Sequence, residues 1–384
     1  MKRISAIFFM SFAVFLYSAN VNVDELSIIA DGAYSNSSGL FEMNTFMKFT
    51  TSFDGGFKFA ANAAFEANIR EVERNYLIND NIYDKVFLIF KHAEVTANNL
   101  AEEHLNLSFW TGVHGYLGAG NIYRGYLYYP ENQSDDFAGF YRLRGTGISA
   151  EMKFWRDQFR SKFHFYQNTN FISANNQLAF HYFSFDNETG LYMNFSDQFS
   201  ENILINLVFF GGITFPVDSS VRGKVGMSFK VGNEHLDFFV SVGMPKLDIN
   251  IASTTFDSLY LVAELNFRIG YTQNTLTFLT RPTYFNEAET GAVNDFDINY
   301  KFRVVVPDFW LRGGFNLNFK FSQTDPQDFW RLYLTPYIDM EFSGVVYTVS
   351  MHYDFSRIYA ANLTGNPMLS LEGLGVVIGV SSKF

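Results

Sequence analysis

Long stretches of this chain alternate apolar and polar side chains with a strict period of two, and they outrun the strands of an ordinary soluble sheet. From Phe57 to Arg70 one row reads Phe57, Phe59, Ala61, Ala63, Phe65, Ala67 and Ile69, against Lys58, Ala60, Asn62, Ala64, Glu66, Asn68 and Arg70. The pattern returns with Val221, Val225, Met227, Phe229 and Val231 against Arg222, Lys224, Ser228 and Lys230. It returns again with Phe296, Ile298, Tyr300, Phe302 and Val304 against Asp297, Asn299, Lys301 and Arg303. Then Leu311, Phe315, Leu317 and Phe319 oppose Arg312, Asn316, Asn318 and Lys320. Successive side chains of a strand point to opposite faces, so each segment is a ribbon with one oily and one charged side. Strands of soluble proteins usually run about five or six residues, whereas crossing a bilayer at a tilt takes about nine to eleven. These segments run ten to fifteen residues. The 46 Phe and 22 Tyr, set against only 8 Pro, suit such strands because rings pack well on a pleated surface.

Short connections alternate with long ones. Asp54-Gly55, Arg156-Asp157, Gly232-Asn233-Glu234 and Ser343-Gly344 are tight turns in which Gly and Asn tolerate positive φ. The stretches 71–82, 115–137, 246–256, 285–295 and 355–367 are long and polar. A sheet with one plain rim and one elaborated rim is a barrel, and in lipid it must close because no edge can be left unpaired. The reading is an all-β, closed antiparallel transmembrane β-barrel, an up-and-down meander of about eighteen strands. Sixteen stays open, because Asn187-Glu188-Thr189-Gly190 resembles a turn inside the segment 178–197. No fixed repeat or linker divides the chain, so residues 20–384 form one domain.

The N-terminus has a basic start (Lys2, Arg3), an apolar stretch from Ile4 to Tyr17, and the small residues Ser18 and Ala19. That is the plan of a secretory signal peptide, here residues 1–19, and the apolar stretch is too short to span a bilayer as a helix. There are no cysteines, hence no disulfide, thiol or lipid-acylation chemistry. Without Lys2 and Arg3 the chain keeps 26 basic against 39 acidic residues, a formal charge of −13, which argues against nucleic acid as a partner.

The last segment ends Val376-Val377-Ile378-Gly379-Val380-Ser381-Ser382-Lys383-Phe384, a terminal Phe preceded by apolar residues at alternate positions. It resembles the C-terminal signal of bacterial outer-membrane β-barrels of the porin-like kind, although Ser382 stands where that family more often has an apolar or aromatic residue. The resemblance implies an exported protein of a Gram-negative-type envelope whose last strand, with Phe384 as its signal, is read by the barrel assembly machinery. It also implies outer-membrane lipid as the surrounding medium and leaves a homo-oligomer open.

The oily rows should then meet lipid and the charged rows line a lumen, which leans basic. Inward cations include Arg142, Arg144, Arg160, Lys162, Arg222, Lys224, Arg303 and Arg312. The long connection after the fifth strand resembles, in position and length, the loop that narrows general porins. It carries Arg124, Glu131, Asp135 and Asp136 among tyrosines, so facing walls could set up a transverse field. A plain extracellular loop is the alternative. Trp110, Trp155, Trp310, Trp330, Tyr141 and Tyr271 near strand ends fit interfacial girdles. The function expected is passive diffusion of small hydrophilic solutes. The alternatives are a transporter for hydrophobic, fatty-acid-type substrates and a structural or adhesive surface barrel. No enzyme is expected, and no catalytic residue, cofactor or metal site. The seven histidines are scattered, and Ser350, His352 and Asp354 lie in parallel on one strand face rather than converging.

Overall fold

The computed structural model describes residues 20–35, 40–54, 59–68, 88–118, 140–168, 182–195, 203–216, 221–248, 259–281, 295–307, 309–321, 330–364 and 373–383. The expected signal segment 1–19 and Phe384 lie outside them. The first six strands are β1 (Asn20–Ser35), β2 (Leu40–Asp54), β3 (Phe59–Asn68), β4 (Leu88–Asn99), β5 (Leu105–Leu117) and β6 (Tyr141–Phe154). Next come β7 (Phe159–Asn168), β8 (Tyr182–Asn194), β9 (Leu204–Pro216), β10 (Arg222–Gly232), β11 (Leu236–Asp248) and β12 (Tyr260–Ile269). The last are β13 (Thr272–Arg281), β14 (Asp295–Val304), β15 (Leu311–Phe321), β16 (Trp330–Phe342), β17 (Val345–Asp354) and β18 (Leu374–Lys383). Every strand pairs antiparallel with the next, and β18 closes onto β1 from Glu25↔Lys383 to Ala33↔Gly375. The result is a closed eighteen-strand, up-and-down barrel.

The segment 178–197 holds a single crossing. Asn187 pairs with Phe163 on one side and Gly211 on the other, and Gly190 with Arg160 and Val208, so the turn-like tetrapeptide lies in mid-strand. Its polarity is absorbed locally, Asn187 Nδ2 donating to Ser161 Oγ at 3.2 Å and Thr189 Oγ1 to Asn187 Oδ1 at 3.0 Å. Two expected loops begin or end elsewhere. Gly115 to Leu117 still belong to β5, and Phe355–Thr364 form helix α1. Asp354 caps that helix, its Oδ1 accepting from the N–H groups of Ser356 at 3.1 Å and Arg357 at 3.3 Å.

Alternation sorts the side chains as a barrel requires. Phe109, Ile148, Phe185, Phe209, Met227, Ile298, Ile338 and Val349 stand exposed on the outer surface. Their strand neighbours Trp110, Ser149, Ser184, Asp186, Ser228, Asn299 and Ser350 are buried within. A continuous exposed apolar surface of this extent needs an apolar covering. Rings gather at its borders. Trp155, Tyr271, Trp310 and Phe342 sit exposed at the short-turn rim, with Trp310 stacked on Phe342 at 5.1 Å, and Trp330, Phe183 and Phe215 sit toward the other rim. Trp110 and Tyr141, expected in the girdles, instead point inward and are buried.

Candidate functional site: the lumen

The lumen has two unlike walls. On the arc from β5 to β13, inward positions carry Trp110, Leu117, Tyr141, Leu143, Tyr166, Val208, Phe210, Phe239, Tyr260, Val262 and Leu279, joined by Phe140 just before β6. The Phe140 ring lies 4.7 Å from Phe210 and edge-on to Tyr260 at 5.5 Å. Tyr260 is on β12, six strands along the sheet from β6, so the chain at Phe140 leans well into the barrel. The other foot of the same connection also turns inward. Leu117 O accepts from Phe140 N–H at 3.1 Å, and Gly118 N–H donates to Glu188 Oε2 at 3.0 Å. Gly118 has φ +62°, and a Cβ there would come within 2.5 Å of the Phe210 ring, so this foot needs glycine on both counts. Arg124, Glu131, Asp135 and Asp136, further along this connection, lie outside the described residues.

Within the packed wall Lys224 and Asp186 form a buried ion pair, Nζ to Oδ1 at 2.5 Å and to Oδ2 at 2.7 Å. Tyr166 OH donates to Asp186 Oδ2 at 2.7 Å, and the Lys224 ammonium sits 3.9 Å from the centre of the Tyr141 ring. Four strands contribute: β6 the ring, β7 the phenol, β8 the acid and β10 the cation. Asp186 was not among the acids expected to matter. Its position beside Asn187 hid it in what read as a turn.

The opposite wall, β14 to β17, is polar throughout, with Asn299, Asn316, Asn318, Thr335 and Ser350 buried between charged rows. Arg303 Nη2 lies 3.3 Å from Asp339 Oδ2, and Arg312 Nη2 2.5 Å from Glu341 Oε2. Lys301 and Lys320 sit over the rings of Tyr337 and Tyr333 at 5.6 and 5.3 Å. Two more inward pairs lie at the short-turn side, Lys162–Glu151 at 3.7 Å and Lys230–Asp237 at 3.1 Å. Side chains in these four ion pairs keep 16–44% of their surface exposed, so solvent reaches them.

Sequence-expected residues therefore scatter around the tube. Arg160 and Lys162 share the inward row of His164 on β7, with the Arg160 guanidinium 5.2 Å from the centre of the Tyr192 ring. Arg222 pairs with Thr214 at the loop side of β10, in the inward row of Lys224. Arg303 and Arg312 belong to the polar wall. Arg142 and Arg144 differ from expectation. They share the alternation of exposed Thr146 and Ile148, while Tyr141, Leu143 and Ser149 take the buried face, so both arginines stand on the outer face near the loop-side end of β6. The register of β6 with β7 runs unbroken past Gly145, and the irregularity of the β5–β6 pair lies on β5, between Val113 and Gly115.

Ser350, His352 and Asp354 share an inward row as expected. His352 Nδ1 is engaged by Thr335 Oγ1 at 3.0 Å and Asp354 by the helix N-terminus, so neither serves the other. A different histidine group does converge. His92 and Glu94 on β4, His114 on β5 and His164 on β7 meet around Ser149 and Trp110, although three different strands supply them. His92 Nε2 is 3.4 Å and His114 Nδ1 3.5 Å from Glu94 Oε2. Trp110 Nε1–H donates to Ser149 Oγ at 2.7 Å, and that oxygen lies 2.7 Å from His164 Nδ1 and 3.3 Å from His114 Nε2. The legible signal was modest: His92 and Glu94 two apart on one row, His114 on a neighbouring one. Two bulges that set their meeting were not legible.

No protein-family model and no curated protein matches the chain. Solved structures do. Wzi of Escherichia coli, described as an outer membrane protein involved in group 1 capsule assembly and a carbohydrate-binding β-barrel, is 9% identical over 97% of this chain and 86% of its own, with a TM-score of 0.53. A variant of the porin of Rhodopseudomonas blastica is 9% identical over 95% of this chain and 100% of its own, with a TM-score of 0.44. At such identity the likeness to Wzi is one of fold, and the chain takes the closed antiparallel barrel fold seen in that outer membrane protein.

Proposed function

We propose that this protein is a porin-like channel of a bacterial outer membrane that passes small hydrophilic solutes through a lumen narrowed on one side. The observation that carries this reading is the set of inward ion pairs with solvent-exposed side chains, enclosed by an apolar exterior. Charges directed into a tube stay solvated only if the tube holds water, and a water column lined by charge conducts. A ten-residue strand such as β14 tilted by about 40° rises about 25 Å, matching the apolar band of such barrels. In this setting residues 1–19 direct export, Phe384 completes the signal read by the assembly machinery, and lipid covers the outer rows. The outer-face residues Arg142 and Arg144 then lie toward the headgroups rather than mid-membrane. No catalytic role is proposed, since His352 and Asp354 are engaged by different partners rather than by each other.

Insertion of the purified chain into planar bilayers should give stepwise ion conductance. A bilayer that stays sealed across voltages would refute the channel. A second reading, a closed barrel that displays its loops, draws on the buried ring cluster around Phe140, Phe210 and Tyr260 and would be favoured by that sealed bilayer. The hydrophobic-substrate alternative finds less support, because the inward apolar residues pack against one another and the loop feet.

A further inference from the structure

The irregularities of the sheet concentrate beside the histidine cluster. The register of β3 with β4 jumps from Ala64↔His92 to Phe65↔Phe90, passing over Lys91, and that of β5 with β6 from Val113↔Arg144 to Gly115↔Leu143, passing over His114. Between the two bulges β4 and β5 approach so closely that a Cβ on Gly112, which has φ +95°, would lie 2.2 Å from Lys91 O and 2.9 Å from His92 Cα. A bulge re-aims the side chains next to it, and bulges recur beside functional sites. Here two of them, on adjacent strands, turn His92 and His114 toward one carboxylate.

The donor set has the chemistry and spacing of a metal site. One ligand atom from each of His92, Glu94 and His114 lies within 4.8 Å of the others. Bonds of about 2.0–2.2 Å at a tetrahedral ion hold neighbouring donors about 3.4 Å apart. The two histidine–carboxylate separations, 3.4 and 3.5 Å, have that value. Nδ1 of His92 and Nδ1 of His114 are both buried without a hydrogen bond. The His114 nitrogen nevertheless faces Glu94 Oε2 at 3.5 Å, the separation of two ligands of one tetrahedral cation. The second nitrogen of His114 rests on Ser149, which Trp110 and His164 fix in turn, and Trp110 stacks on the His114 ring at 4.6 Å. Metal-bound histidines are characteristically oriented by such outer contacts.

We propose that His92, Glu94 and His114 form a binding site for a divalent transition-metal ion, of the class of Zn²⁺, Co²⁺ or Ni²⁺, on the inner wall of the barrel. Two imidazoles and one carboxylate favour these ions over Ca²⁺ and Mg²⁺, which prefer all-oxygen shells. Three protein ligands leave a fourth position for water. The ion would tie β4 to β5 where their ladder is interrupted, and its binding does not depend on whether the barrel conducts.

The test is titration of the folded full chain in detergent with Co²⁺, followed by its visible d–d absorption and then displacement by Zn²⁺. One Co²⁺ per chain is expected, displaced by Zn²⁺. Affinity should fall at least tenfold in H92A, E94Q and H114A and stay unchanged in H352A. Ser149→Ala, which removes only an outer contact, should weaken binding by about 10–100-fold. Strand circular dichroism establishes that each variant folds. Should a histidine variant misfold, E94Q decides, because it preserves shape and polarity. A folded E94Q that binds Co²⁺ as tightly as the natural chain overturns the proposal, as does a natural chain that takes up no Co²⁺ at millimolar concentration.

Discussion

Lys224 and Asp186 face each other in the packed wall with almost no solvent, held by Tyr166 and by the Tyr141 ring. Removing one member of such a pair strands the other, whereas replacing both with apolar residues of similar size removes the problem. Lys224→Ala should therefore lower stability by about 3–5 kcal/mol, and the double variant Lys224→Met/Asp186→Leu should recover most of that loss. Urea unfolding in detergent, followed by tryptophan fluorescence, would show it; equal destabilisation by single and double variants would contradict this account. Lys224 was visible in the sequence as an inward cation. What it does was not, because its partner lies 38 residues away on a strand that is not its neighbour. Charged rows can be read from alternation, but ion pairs depend on which strands stand side by side. The histidine cluster was missed for the same reason, compounded by the two bulges.

At the level of strands, period two made nearly everything legible. Alternation alone gave about eighteen crossings with sixteen still open, because a residue's face is set by its parity and both faces are chemically marked, and the structure settles the count at eighteen. Connections were less legible. The helix Phe355–Thr364 lay in a stretch read as loop, and the polar Asn187–Gly190 mimicked a turn although ladder pairs flank it on both sides. Two outcomes test the strand assignment. Met227→Arg places a charge on the outer face in the middle of β10 and should cost about 2–4 kcal/mol in a bilayer, whereas Asn62→Arg, at an exposed position on the inner face of β3 opposite Glu94, should fold normally. Reversible folding into lipid vesicles measures both, and equal tolerance of the two arginines would contradict the assigned faces. Asp354→Ala removes the cap of α1 and should destabilise by about 1 kcal/mol, seen as earlier local hydrogen exchange of residues 356–358.

The whole molecule is a tube with one wall filled and one wall charged. The ladders Arg303–Asp339 and Arg312–Glu341 on the charged wall make its local potential adjustable without disturbing the packing opposite. Arg303→Gln with Arg312→Gln should shift ion selectivity toward cations while leaving strand content unchanged, which reversal potentials under a salt gradient would report. An unchanged reversal potential would place the conduction path elsewhere. Closure itself carries a further consequence. The hydrogen bonds joining β1 to β18 link residues 342 to 358 positions apart, from Glu25 with Lys383 to Ala33 with Gly375, and no hairpin turn spans that junction. Every other neighbouring pair is a hairpin that can zip locally, while this seam must wait until both ends of the chain have met. The finished cylinder thus has a single zipper, the last part to fasten during biogenesis and the natural place for it to part sideways.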